Sequence, residues 1–194
     1  MTKLRVGLAL TGSFCTFDKA LTAAEQLRDE FDFLPIMSET AASTDTRFGR
    51  AEDFEKRLEA LSGKKVIKTI TEAEPIGPGK MIDVLLIAPC TGNTLAKLAG
   101  GINDSSVTMA AKSHMRNGGA VVLALSTNDG LSASAKNIGA LLVRKNVFFV
   151  PFYQDAPEAK PRSLAADYSQ LKEAVLAAYE GKQLQPILKY TDIG

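Results

Sequence analysis

A three-layer α/β fold on a mostly parallel sheet is what this chain predicts, and three observations carry that expectation. Strand-like apolar runs recur at residues 4–10, 33–37, 84–88, 120–125 and 147–150, and the one at 84–88 has no polar alternation, as a strand covered on both faces requires. Segments of helical period separate most of these runs, the alternation of a sheet with helices packed on both sides. No internal repeat, low-complexity tract or linker divides the 194 residues, so a single domain with one core is expected.

Taken in order, residues 4–10 form a buried strand, and Thr16 is placed to cap a helix carrying Ala20, Ala23, Ala24, Leu27 and Phe31. A second strand spans residues 33–37. A polar loop over 38–49 follows it, then a helix faced by Phe54, Leu58 and Leu61. Residues 65–70 look extended, but a Pro- and Gly-rich stretch of only about a dozen residues separates them from the next strand, too short for a parallel crossover. They are read as an edge piece. The strand at 84–88 stops at Pro89 and runs into a short helix near residues 93–99, followed by a second helix from about Asp104, whose carboxylate is a candidate cap. After the strand at 120–125, residues 126–130 turn into a helix bearing Ala135, Ile138, Leu141 and Leu142, with Asp129 a candidate cap. Residues 147–150 close the sheet, and Pro151 ends that strand. Residues 154–162, with Pro157 and Pro161, are a loop; Tyr168, Leu171, Val175, Ala178 and Tyr179 mark a terminal helix stopped by Gly181.

Composition narrows the function. Lys and Arg number 23 against 22 Asp and Glu, with no block of one sign, so the electrostatic footprint of a nucleic-acid binder is missing. Cys15, Cys90 and the single His114 have no metal-ligand spacing, and a protein-bound metal is not expected. Residues 6–10 are too short for a signal-peptide core and no long apolar run exists, so a soluble, cytoplasmic protein with no membrane partner is expected.

Ligands of open parallel sheets sit outside the carboxyl ends of the strands. Gly12 and Ser13 follow the first strand, where backbone N–H groups and a hydroxyl can hold a phosphate. Ser38 and Thr40 follow the second; Cys90, Thr91, Gly92 and Asn93 follow the third, with Asn93 able to bind a carboxylate or a ring carbonyl without changing charge. Ser126, Thr127, Asn128 and Asp129 follow the fourth. Cys90 lacks a basic neighbour in sequence and reads as a packing residue. His114 shares a face with Val107, Ala110, Ala111 and Met115, which suits a core or subunit-contact histidine better than a base. Glu72 and Glu74, beside Pro75, Gly77, Pro78 and Gly79, either hold a carboxylate over the pocket or shape a connection.

The stretch IAPCTGNTLAKLAGGIND resembles the Pro-Ala-Ser-Ala-Asn-Thr signature of the flavoprotein family that includes flavin-containing cysteine decarboxylases and flavin prenyltransferases. Ordered blocks at 44–49 (TDTRFG), 72–80 (EAEPIGPGK), 126–129 (STND), 136–139 (KNIG) and 149–157 (FVPFYQDAP) look most like a subgroup of that family, the B subunits of two-subunit enzymes that oxidise dihydrodipicolinate to dipicolinate in sporulating bacteria. The resemblance implies a flavodoxin-like or Rossmann-like domain in trimers or larger homo-oligomers, with FMN across the strand ends. Gly12, Ser13 and Ser38 would face its phosphate, and Cys90, Thr91, Asn93, Ser126 and Asn128 would complete the cofactor site. Asn93, matching the family's substrate-carboxylate asparagine, and Glu74 are the catalytic candidates. It also implies a small dicarboxylate substrate and a dehydrogenase-like A subunit that uses NADP; Arg47 and Lys97 are candidate cationic contacts. Two departures stand out. Residues 64–82 lack the decarboxylases' histidine, and Met109 stands where the prenyltransferases carry a phosphate-binding arginine, whose bidentate fork a thioether cannot replace. A non-catalytic phosphate- or FMN-binding assembly module, and flavin prenyl transfer, are the alternatives.

Overall fold

A computed structural model describes residues 2–189 and contains seven strands in one sheet, ordered β2-β1-β3-β4-β7-β6 with β5 also paired to β4. Four parallel strands make most of it: β1 (Leu4–Leu10), β2 (Phe31–Met37) at one edge, β3 (Val84–Cys90) and β4 (Ala120–Thr127). The free side of β4 is divided between two partners. Its first half pairs in parallel with β5 (Val147–Phe149), and Ser126 and Thr127 pair with antiparallel β7 (Leu164–Ala166), which carries β6 (Phe152–Tyr153) outside it. No sequence pattern announces this antiparallel extension at the carboxyl end of β4, because strands of two and three residues carry no measurable period.

The pleat sends alternate residues of each strand into opposite layers. Val84, Leu86 and Ala88 meet α1 (Phe17–Glu25), α3 (Ala51–Ser62) and α8 (Leu171–Tyr179) on one face. Leu85, Ile87 and Cys90 meet α5 (Gly92–Gly100), α6 (Ser106–Arg116) and α7 (Ala135–Leu142) on the other. The three-layer expectation therefore holds, with two apolar clusters rather than one, separated by the sheet.

Several boundaries move for local reasons. Thr16 precedes α1 without capping it, and Phe31 begins β2 rather than closing the helix. The loop predicted after β2 contains a short helix, α2 (Glu39–Ser43), capped by Ser38. Within the block at 44–49, Asp45 accepts from the Ala51 amide at 2.9 Å, satisfying a free donor at the start of α3. Ile67 exchanges backbone bonds with Pro35 and Met37, so the edge piece does lie beside β2, but α4 (Ile70–Ala73) starts right after it in a Thr69–Glu72 capping box. β3 continues through Pro89 to Cys90, with an irregularity in its pairing to β4. Ser105, not Asp104, caps α6. Asp129 does not cap α7; its carboxylate accepts from the hydroxyls of Thr127 and Ser134. Gly181 has φ +73° just past α8, as the stop signal requires. Beyond it the Gln183 amide bonds both the N–H and the C=O of Phe149, covering the exposed side of β5.

Candidate functional site

The carboxyl ends of β1, β2 and β3 enclose a first cavity of about 500 Å³, within the usual range for cofactor pockets. Thr11, fully buried, stitches two of these ends together: its hydroxyl donates to the Pro89 carbonyl at 2.8 Å and accepts from the Thr91 amide at 3.1 Å. Three helix starts face the space, because Ser38, Thr91 and Ser105, the caps of α2, α5 and α6, all line it. Thr91 accepts from the Thr94 amide at 3.1 Å, so the Gly92 and Asn93 amides have no partner among the described residues; the Glu39 and Thr40 amides of α2 are likewise open. The two carboxylates of the lining are engaged. Glu39 accepts from the Ser106 amide at 2.9 Å, and Asp104 pairs with Lys97 at 2.7 Å, an ion pair that holds the Asp104 carboxyl below its ordinary range.

A second cavity of about 330 Å³ opens on the other side of the turn after β1, between that turn, the end of β4 and the β6–β7 segment. Ser13, Ser126 and Asn128 line it. Three hydroxyls meet at its edge, with Ser13 and Ser126 at 2.6 Å, Thr16 and Ser126 at 2.7 Å, and Ser13 and Thr16 at 3.2 Å. Each hydroxyl has a single proton to donate. These contacts compete with a phosphate for the Ser13 hydroxyl, which lines the second space and not the first.

The predicted residues thus divide between two adjoining spaces. Gly12, Ser38, Thr91 and Asn93 line the first, with Lys97; Ser13, Ser126 and Asn128 line the second. Cys90 lines neither, since the extended strand turns its side chain into the apolar layer against Leu95 and Ile87, and burial pushes its thiol pKa upward. Glu74 lies beside Met109, Lys112, Ser113 and Arg116 at a separate small cavity and is absent from both linings. The block around it is architectural: Gly77 donates to Ser113 Oγ at 3.0 Å, and a Cβ there would sit 2.0 Å from the Ser113 carbonyl oxygen. Arg47 stacks on Phe48 in the block at 44–49, away from either cavity lining. His114 is buried beside Arg5, Asp83 and Gly119 at the amino ends of the strands, where desolvation lowers its pKa. Sequence reasoning missed Lys19, Tyr153, Lys160 and Tyr168 of the second cavity. No spacing signal was available, because they come from α1, β6 and the segments flanking β7.

Among the described residues no group of three His, Cys, Asp or Glu side chains could hold a metal, and no helix is long and apolar enough to cross a membrane.

A mostly parallel sheet with helices on both faces and polar clefts at the carboxyl strand ends is a flavodoxin-like arrangement, and this chain belongs to the Flavoprotein family, whose model matches residues 1–170. Within the family it is similar to the B subunit of dipicolinate synthase from Bacillus subtilis (strain 168), with 43% identity over 185 residues that cover 95% of this chain and 92% of the relative. The crystal structure of the corresponding dipicolinate synthase B subunit from Bacillus halodurans C matches with a TM-score of 0.89 at 38% identity, covering 98% of this chain and all of that one. The FMN-dependent cysteine decarboxylase SpaF shares the fold at 20% identity, with a TM-score of 0.67 over 92% of this chain and 97% of that one.

Proposed function

We propose that this chain is the B subunit of a dipicolinate synthase, holding FMN by its phosphate in the first cavity. It acts with a nucleotide-binding, NADP-using A subunit to oxidise dihydrodipicolinate to dipicolinate. The observation that carries the reading is the convergence of three capped helix starts on one cleft with open amides at two of them. Hydrogen bonds to a charged group contribute about 1.5–3 kcal/mol each, against roughly 0.3–1 kcal/mol for a helix dipole. The oriented amides of Gly92, Asn93, Glu39 and Thr40, with the Thr40 hydroxyl, therefore dominate selection for a phosphate.

The donor set fits that group. Asp104 is neutralised by Lys97, and Glu39, which keeps its charge, is turned onto the Ser106 amide. When bound, FMN would supply two-electron redox chemistry to the oxidation. This chain's own residues bind and orient. The exposed Asn93 side chain offers a donor and an acceptor at the cavity wall, suited to a carboxylate or a ring carbonyl.

A non-catalytic role, in which the chain only holds the cofactor, is favoured by one observation: neither cavity is lined by a histidine, and both carboxylates of the first are engaged. One experiment tests both readings. The purified chain is expected to bind FMN, read by the visible absorbance of oxidised flavin. Its addition to the A subunit with dihydrodipicolinate and NADP is expected to raise NADPH formation well above the A subunit's own rate. Equal rates with and without this chain would remove its catalytic role; protein that stays colourless after FMN addition would remove the cofactor.

A further inference from the structure

We propose that the second cavity is a subsite for a small planar dicarboxylate, with Lys19 and Lys160 as its two cationic contacts. This subsite deepens the proposed function and rests on it for the identity of the dicarboxylate, but its own support is a set of groups in this cavity that the fold leaves unpaired.

Lys19 from α1 and Lys160 from the β6–β7 connection both line the space, and neither lies within 4.0 Å of a carboxylate among the described residues. Lys97 of the first cavity is neutralised by Asp104. The free cationic charge of the two clefts therefore sits in the second. Lys19 is held above the Tyr168 ring at 5.5 Å from its centroid, a cation–π contact that fixes the ammonium at the cavity wall. Beneath this contact lies an unpaired group. Tyr168 is only 4% exposed, and its hydroxyl has no hydrogen-bond partner among the described residues, although buried polar groups are nearly always paired. The residue lines the cavity, while its hydroxyl lies beneath the surface, an unpaired donor in the layer under the wall. The Ser13, Thr16 and Ser126 hydroxyls are bonded among themselves, and an incoming anion is met by the two lysines and the Asn128 amide of the lining.

The chemistry differs from that of the first cavity in a way that assigns the ligands. A cradle of backbone amides suits the clustered oxygens of a phosphate. Two separate ammonium groups, each a point charge on a long flexible stem, suit two carboxylates held apart on a rigid frame. Tyr153 and Tyr168 also line the space. Asp155 is the carboxylate of the lining and selects against ligands carrying more negative charge than the two lysines neutralise.

The test is calorimetric titration of the full chain with pyridine-2,6-dicarboxylate, with and without added FMN, for native protein and for Lys19→Gln, Lys160→Gln and the double variant. Both lysines are exposed, so these variants should fold. Each single change is expected to weaken binding about tenfold and the double change more, while pyridine-2-carboxylate and inorganic phosphate bind the native chain at least about tenfold more weakly. Absence of binding under both conditions would overturn the proposal, as would binding that survives the double change or is lost only in Lys97→Gln, which would place the ligand in the first cavity. FMN titration of the same proteins keeps the two readings apart. Lysine-dependent dicarboxylate binding without flavin binding sinks the first cavity's assignment alone, and flavin binding without the dicarboxylate sinks this one alone.

Discussion

Gly92 shows what a single missing side chain does at this site. A Cβ there would lie 2.7 Å from Ser134 Oγ, 2.8 Å from Thr127 Oγ1 and 3.0 Å from Asp129 Oδ1. The start of α5 is thereby pressed onto the polar cluster after β4, where the hydroxyls of Thr127 and Ser134 hold the Asp129 carboxyl below its ordinary range. Gly92→Ala is expected to lower unfolding stability by about 1–3 kcal/mol, as overpacking does, measured by urea denaturation; unchanged stability would mean the cluster can part. The sequence marked Gly92 as small enough for close approach but was silent on what approaches it, since residues 127–134 reach it only through the pairing of β3 with β4. The same blindness explains Cys90 and Ser13. Position in the chain puts Cys90 beside the cofactor, yet its side chain lies in the apolar layer; Ser13 looks like a free donor in sequence and is bonded to Ser126 from a distant strand.

Among the elements, helix starts decide the chemistry. Thr91 does two things with one hydroxyl, capping α5 through Thr94 and leaving the Gly92 and Asn93 amides facing the first cavity. Thr91→Ala is expected to cost about 0.5–2 kcal/mol of stability with a matching fall in thermal midpoint, while Thr91→Ser restores most of it. If both variants melt alike, the methyl group rather than the cap is what matters. Long elements were legible because burial imposes period: β1 runs over the predicted residues, and α3, α7 and α8 lie where their apolar faces placed them. Short ones were not. α2, β6 and β7, of two to five residues, owe their existence to the neighbours they bond, and α2 turned a predicted loop into a wall of the first cavity.

For the molecule as a whole, the two ends of the sheet have separate duties. Both cavities lie at the carboxyl ends, and the opposite end buries His114, the chain's single histidine, at 5% exposure with Nε2 lacking a partner among the described residues. Burial lowers its pKa, so below about pH 6.5, the ordinary histidine value, the unfolded chain takes up a proton that the folded one resists. Stability is full above that pH and declines as the pH falls toward the folded value, with a slope of at most about 1.4 kcal/mol per pH unit. Denaturation between about pH 7.5 and about pH 5 should show this slope in the native chain and lose it in His114→Gln; an equal slope in both would assign it elsewhere. By itself the sequence determined the three-layer class, the order of the long elements and the strand ends that carry polar residues, because strand and helix periods and turn residues are local properties of the chain. Only the tertiary structure decided that these strand ends form two cavities rather than one, and which cations remain unpaired there. Those outcomes depend on contacts between residues more than 100 positions apart, such as Ser13 with Ser126, which no local pattern encodes.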